Sequence, residues 1–291
     1  MPFSLPISLI APLMLMQTAT GGVPGASDAP LPQGIGRDET TRQNPRRAGS
    51  SRSTIEQDRL GLCLEKARRD PTTAMVNASS WLSEAHGTER ALPQQCLGMA
   101  YVSLLRWEAA EQSFLAARSA RKESDHTDRA RLAGMAGNAA LADNRAEDAL
   151  HDFDLAMAEA ESAQDTPLAG GLSADRARAL VLLKREDDAE AALQKAITDA
   201  PQNPRGWLLL ATLERRQDKL SEAADHIRTA GGLAPQDPEV ALEAGLIAVL
   251  SGDDETARKN WQAVLDLAPA DSTEAANAKA YLAQLQEEDQ P

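Results

Sequence analysis

The sequence predicts an all-α solenoid of stacked helix–turn–helix units, and three observations carry that expectation. The ending Asp199-Ala200-Pro201-Gln202-Asn203-Pro204 returns as Leu233-Ala234-Pro235-Gln236-Asp237-Pro238 and again as Leu267-Ala268-Pro269-Ala270-Asp271. Ala200, Ala234 and Ala268 follow one another at a step of 34 residues, which is the length of one stacked helical pair. Aromatic residues make up only 3% of the 291, so helix packing must rest on Ala and Leu. No run of alternating Val, Ile, Thr and Tyr with hairpin turns suggests a strand.

At the N-terminus, Phe3 to Met16 is apolar apart from Ser4 and Ser8. That run is shorter than the roughly 20 residues a bilayer-spanning helix needs. Small and polar residues follow it, so residues 1–20 read as a secretory signal peptide and the chain as exported to the periplasm. No Lys or Arg precedes the run, which leaves open a plain apolar tail or a misplaced start. No Cys follows it closely, so neither a lipoprotein anchor nor any other stable membrane anchor is expected. Residues 21–54 are rich in Gly, Pro, Ser, Thr and Arg and read as a disordered linker.

Ordered structure is expected from Ile55, with Ile55–Arg69 and Thr72–Ala85 as an irregular first helix pair over 55–86. Breakers then punctuate the chain: Asp70-Pro71, Pro93, Asp165-Thr166-Pro167, Pro201, Pro204, Pro235, Pro238 and Gly252. Proline lacks the amide hydrogen and clashes with the preceding turn, so each one ends or opens a helix. Asp and Ser beside them supply caps.

Laid on one frame, residues 204–237 give Trp207, Leu210-Ala211, Ala223, Ile227, Ala230 and Pro235. Residues 238–271 give Ala241, Ala244-Gly245, Ala257, Trp261, Val264 and Pro269. Residues 170–203 give Ala177, Leu180, Ala189, Leu193, Ala196 and Pro201, with Ser173 and Arg176 out of pattern. Two earlier units lack the closing proline: 91–124, with Leu97-Gly98, Tyr101, Ala110, Phe114 and Ala117, and 130–163, with Ala136-Gly137, Ala140, Ala149, Phe153 and Ala156. This pattern resembles the tetratricopeptide repeat, closely over 91–271 and loosely over 55–285. The resemblance implies a right-handed α-solenoid, with two degenerate repeats over 91–163 and three regular ones over 170–271. Residues 272–286 then form a C-terminal capping helix over the last apolar face.

The resemblance also implies a function. Such arrays are non-catalytic scaffolds that bind peptide segments in a groove lined by the first helix of each pair. Its lining would include Arg131, Asn138, Arg178, Arg205, Leu208, Thr212 and Arg215. Those arginines, within a chain of net charge −14, could receive a carboxylate-bearing peptide, or could instead pair with neighbouring Asp and Glu. The Lys and Asn set of the chaperone-tail clamp is incomplete, since Leu208 and Leu209 stand where polar groups are needed. In a stack of this kind Cys63 and Cys96 lie on neighbouring first helices and could form a disulfide in an exported protein; two buried thiols are the alternative.

Other chemistries find little support. His86, His126, His151 and His226 are scattered, with no metal-ligand spacing. No phosphate loop or nucleophile elbow occurs, so neither a catalytic site nor a cofactor is expected. Residues 55–203 and 204–291 are each net negative by eight, which disfavours nucleic acid. A non-catalytic arm of an envelope enzyme or glycan-processing complex, or a self-associating structural protein, remains as an alternative.

Overall fold

The computed structural model describes residues 45–288, with side chains from 55 to 286. Among these residues there are thirteen α-helices, one 3-10 turn and no strand. The signal peptide expected at 1–20 and most of the linker lie outside the described residues. The described residues from Thr54 onward form one compact unit. The first helix, α1 (Pro45–Arg69), begins upstream of the expected start at Ile55, so residues 45–54 are helix rather than linker. Proline fits the first turn of a helix, and no further proline interrupts the chain before Pro71.

Then follow α2 (Pro71–Glu84), the 3-10 turn Gly87–Arg90, and five helix pairs. The pairs are α3 (Ala91–Ser103) with α4 (Trp107–Ala120), and α5 (His126–Ala142) with α6 (Ala146–Ser162). Next come α7 (Thr166–Leu182) with α8 (Glu186–Asp199), α9 (Pro204–Arg216) with α10 (Leu220–Leu233), and α11 (Pro238–Leu250) with α12 (Asp254–Leu267). The last helix, α13 (Thr273–Glu288), packs on α12 and α11. None of the described helices is long and apolar enough to cross a membrane.

Local chemistry fixes both kinds of turn. Ahead of α2, α7, α9, α11 and α12, the side chains of Asp70, Asp165, Asn203, Asp237 and Asp253 accept hydrogen bonds from amides of the first turn. This satisfies donors that have no partner inside the helix. Within every pair, one residue of the connecting turn takes a left-handed backbone: Leu105, Asn144, Lys184, Asp218 and Gly252, with φ from 56° to 81°. The next amide then reaches back to a carbonyl of the first helix, as in Arg106 N to Tyr101 O at 2.9 Å and Asp253 N to Ala248 O at 2.9 Å. These closures are helix C-caps that orphan carbonyls require.

The two helices of a pair lock through one recurring contact. Phe114, Phe153 and Trp261 lie on the faces of Gly98, Gly137 and Gly245, where a Cβ would come under 3.0 Å from each ring. At the same register the other two pairs set Ala177 against Leu193 and Ala211 against Ile227, and all four of these side chains are buried. A ring demands a bare Cα opposite, and a smaller aliphatic side chain admits a methyl. Volume is therefore conserved across the contact.

The first helices α5, α7, α9 and α11, followed by α13, come into contact with one another in turn, and the second helices of the pairs make no comparable approach. The first helices therefore form the inner layer of the stack.

Candidate partner groove on the inner layer

A polar cluster ties three consecutive inner helices. Asn138 on α5 donates from Nδ2 to Asp175 Oδ2 on α7 at 3.0 Å, and to its own helix at Gly134 O at 3.1 Å. Its Oδ1 accepts from Arg178 Nη1 at 3.1 Å. The same Nη1 lies 3.3 Å from Asp175 Oδ1, and Arg205 on α9 reaches that oxygen at 3.5 Å. Two guanidinium groups thus share one carboxylate.

Their settings differ. Arg178 is 7% exposed, and its Nη2 is buried without a hydrogen-bond partner. Burial pulls its guanidinium below the ordinary arginine value, with Asp175 opposing and Arg205 adding to the fall. A buried charge short of an acceptor is costly, and a further anion would relieve it. The Arg205 side chain is 52% exposed, so it presents its charge to solvent beside that buried group.

The next station is closed. Arg215 on α9 holds Glu243 on α11 through two hydrogen bonds, Nε to Oε1 at 2.5 Å and Nη2 to Oε2 at 3.3 Å. Of the residues expected to line a groove, the structure therefore brings together Asn138, Arg178 and Arg205, and commits Arg215 to an internal pair. Arg131 projects into solvent and meets Asp128 of its own helix at 4.0 Å. Leu208 belongs to the core with Ile227 and Ile247, which removes it from the lining. The Thr212 hydroxyl donates to Leu208 O within α9. Asp175 and Glu243 had no signal of their own in the sequence, although both occupy the sixth place of their repeats.

Two further charge clusters join neighbouring helices outside the Asp175 cluster. Glu159 on α6 accepts from Arg118 Nη2 at 2.7 Å, Arg129 Nε at 2.8 Å and, on its other oxygen, lies 2.8 Å from His126 Nδ1. Burial would raise its pKa, but the bonds from Arg129 and His126 and the charges of Arg129 and Arg118 hold it at about 2. Glu111 on α4 pairs with Arg145, which also bonds Asp143 and Asp148. Beside it Asp152 is 2% exposed with Oδ2 unpartnered, and burial, then the Glu111 charge, push its pKa up to about 7. Among the described residues no group of three or more His, Cys, Asp or Glu could hold a metal ion.

Cys63 on α1 and Cys96 on α3 are joined by a disulfide, with their Cα atoms 6.1 Å apart.

No family model matches the sequence, and no curated protein matches it. Solved structures do. PilW, described as a widely conserved type IV pilus biogenesis factor, superposes with a TM-score of 0.61 at 19% identity, over 78% of this chain and 98% of its own. PilF of Pseudomonas aeruginosa gives 0.60 at 17% identity, over 80% and 99%. A thermophilic TPR protein of Thermus thermophilus gives 0.54 at 18%, over 66% and 99%.

The chain has the tetratricopeptide-repeat fold. At these identities the likeness carries the architecture alone. A left-handed turn recurs in all five helix pairs, and the glycine–aromatic contact in three of them.

Proposed function

We propose that this protein is a non-catalytic scaffold whose inner layer holds a peptide segment of mixed apolar and acidic character. One carboxylate of the segment sits between Arg178 and Arg205. The observation that carries this reading is that both guanidinium groups share the Asp175 carboxylate, while Arg178 Nη2 is buried without a hydrogen-bond partner. An incoming carboxylate would complete the set with charge-assisted hydrogen bonds. Half-buried Met99, Val102, Val181, Leu242, Leu246 and Val249 supply apolar contact along the same layer. The working compartment is the cell envelope, reached through the apolar leader; the pilus biogenesis factor among the structural neighbours supports that setting.

The test is partner capture by the Arg205→Glu variant, which reverses an exposed charge and leaves the core intact. Capture should fall at least tenfold while the thermal melt is unchanged. Undiminished capture by a folded Arg205→Glu protein removes the reading. Sequencing the N-terminus of the mature protein tests export.

A further inference from the structure

Over 55–69, where its side chains are described, helix α1 is fixed to its neighbours by little buried surface apart from its disulfide. Between Ile55 and Arg69 only Ala67 is fully buried, and among its apolar side chains Leu60, Cys63 and Leu64 are half-buried. Those four fall at i, i+3, i+4 and i+7, a single narrow stripe. Ile55 and Leu62 lie outside it, 63% and 70% exposed. Arg59 covers the Trp81 ring at 4.5 Å and reaches Glu84 at 3.8 Å, the latter a solvent-exposed pair that contributes little. Helix α2, by contrast, buries Ala74, Ala78 and Trp81. The stripe of α1 is centred on Cys63, whose partner Cys96 on α3 has no exposed surface.

We propose that the Cys63–Cys96 bond is a redox latch: opening it frees α1 while the helix pairs beyond it stay folded. A dithiol reductant supplies the chemistry. Its thiolate attacks the more accessible Cys63 Sγ, and Cys96 leaves as a thiolate and takes up a proton. The second thiol of the reductant, as thiolate, displaces Cys63 Sγ in turn. Two protein thiols and the reductant's disulfide result, with two electrons transferred. Once the cross-link is gone, the detached state regains the chain freedom that the closed loop denied it. The narrow stripe must then offset the entropy of ordering α1 unaided. Release uncovers Met75, Leu82 and Tyr101, which pack about Cys63, Ala78 and Cys96 in the latched form.

Hydrogen–deuterium exchange of the full chain tests this, comparing protein oxidised with diamide, protein reduced with dithiothreitol, and the Cys63→Ser, Cys96→Ser double variant. The latch predicts that amides of 55–69 exchange roughly tenfold faster or more in the second and third samples, with α5–α12 unchanged. Equal protection of 55–69 in all three overturns it. So does loss of protection throughout the array on reduction, or failure of the two thiols to pair on oxidation.

Discussion

The indole of Trp261 packs against the bare Cα of Gly245, and its Nε1 donates to Leu242 O at 3.3 Å on the glycine's helix. A methyl at 245 must push the ring away, and a buried ring has nowhere to go. Gly245→Ala should destabilise by about 1–3 kcal/mol, the range for overpacking. The same logic predicts a rescue. Gly137→Ala should cost a similar amount alone and recover most of it with Phe153→Leu, because Ala177 and Leu193 already form that pair. Urea denaturation of the two singles and the double checks this; additive losses would contradict the volume argument.

The left-handed turn residues give a second prediction. Leu105 adopts φ 56° and Lys184 φ 58°, where an L side chain is strained. Leu105→Gly and Lys184→Gly should each stabilise by about 0.5–1 kcal/mol, after the greater unfolded freedom of glycine is subtracted. Gly252→Ala, at φ 81°, should destabilise by about 1 kcal/mol. Calorimetry that ranks all three in the opposite order would refute the assignment.

Asp152 and Glu159 should respond to pH with opposite signs. The folded pKa of Asp152 is raised from 3.8 to about 7, so the folded state holds its proton more tightly. Its contribution is most favourable below 3.8 and is lost as pH rises through about 7. Asp152→Asn should therefore raise the melting temperature at mildly alkaline pH, and the gain should shrink as the solution is acidified. Glu159 is held down from 4.5 to about 2, so its stabilisation is present above 4.5 and lost as pH falls through about 2. Parallel shifts of wild type and Asp152→Asn at every pH would count against the buried neutral carboxyl.

Removing the Glu159 charge should be severe. Glu159→Gln leaves Arg118, Arg129 and His126 facing a neutral group at the junction of α4, α5 and α6. Breaking one side of a buried ionic cluster costs about 3–5 kcal/mol. Chemical denaturation measures it, and a loss within about half a kcal/mol would show that solvent screens the cluster.

The repeat was legible in the sequence because its markers are local. Pro204, Pro238 and the capping Asn203 and Asp237 act within one turn, so spacing alone placed α9 and α11. Contacts across repeats were not legible. Arg215 and Glu243 are 28 residues apart, and nothing in either residue type says that they meet. Arg178 and Arg205 carried a visible charge signal, but their shared acceptor Asp175 did not, since an Asp inside a helix is ordinarily solvated. Of the five left-handed turns within the helix pairs, four were hidden because Leu105, Asn144, Lys184 and Asp218 occupy a place that glycine marks only once, at Gly252. The start of α1 is not legible because residues 45–54 show no apolar period and Gly49 within them reads as a breaker.

The inner layer around Arg178 and Arg205 is proposed as the partner site. Site-specific photocrosslinking in native cells tests it most directly, with the photoreactive residue placed in turn at Thr212 on the inner layer and at Gln194 on α8. A discrete crosslinked partner is expected from position 212, disappearing when Arg205→Glu is added, and none from position 194. A partner captured from position 194 alone, or one captured from 212 regardless of Arg205→Glu, would contradict it.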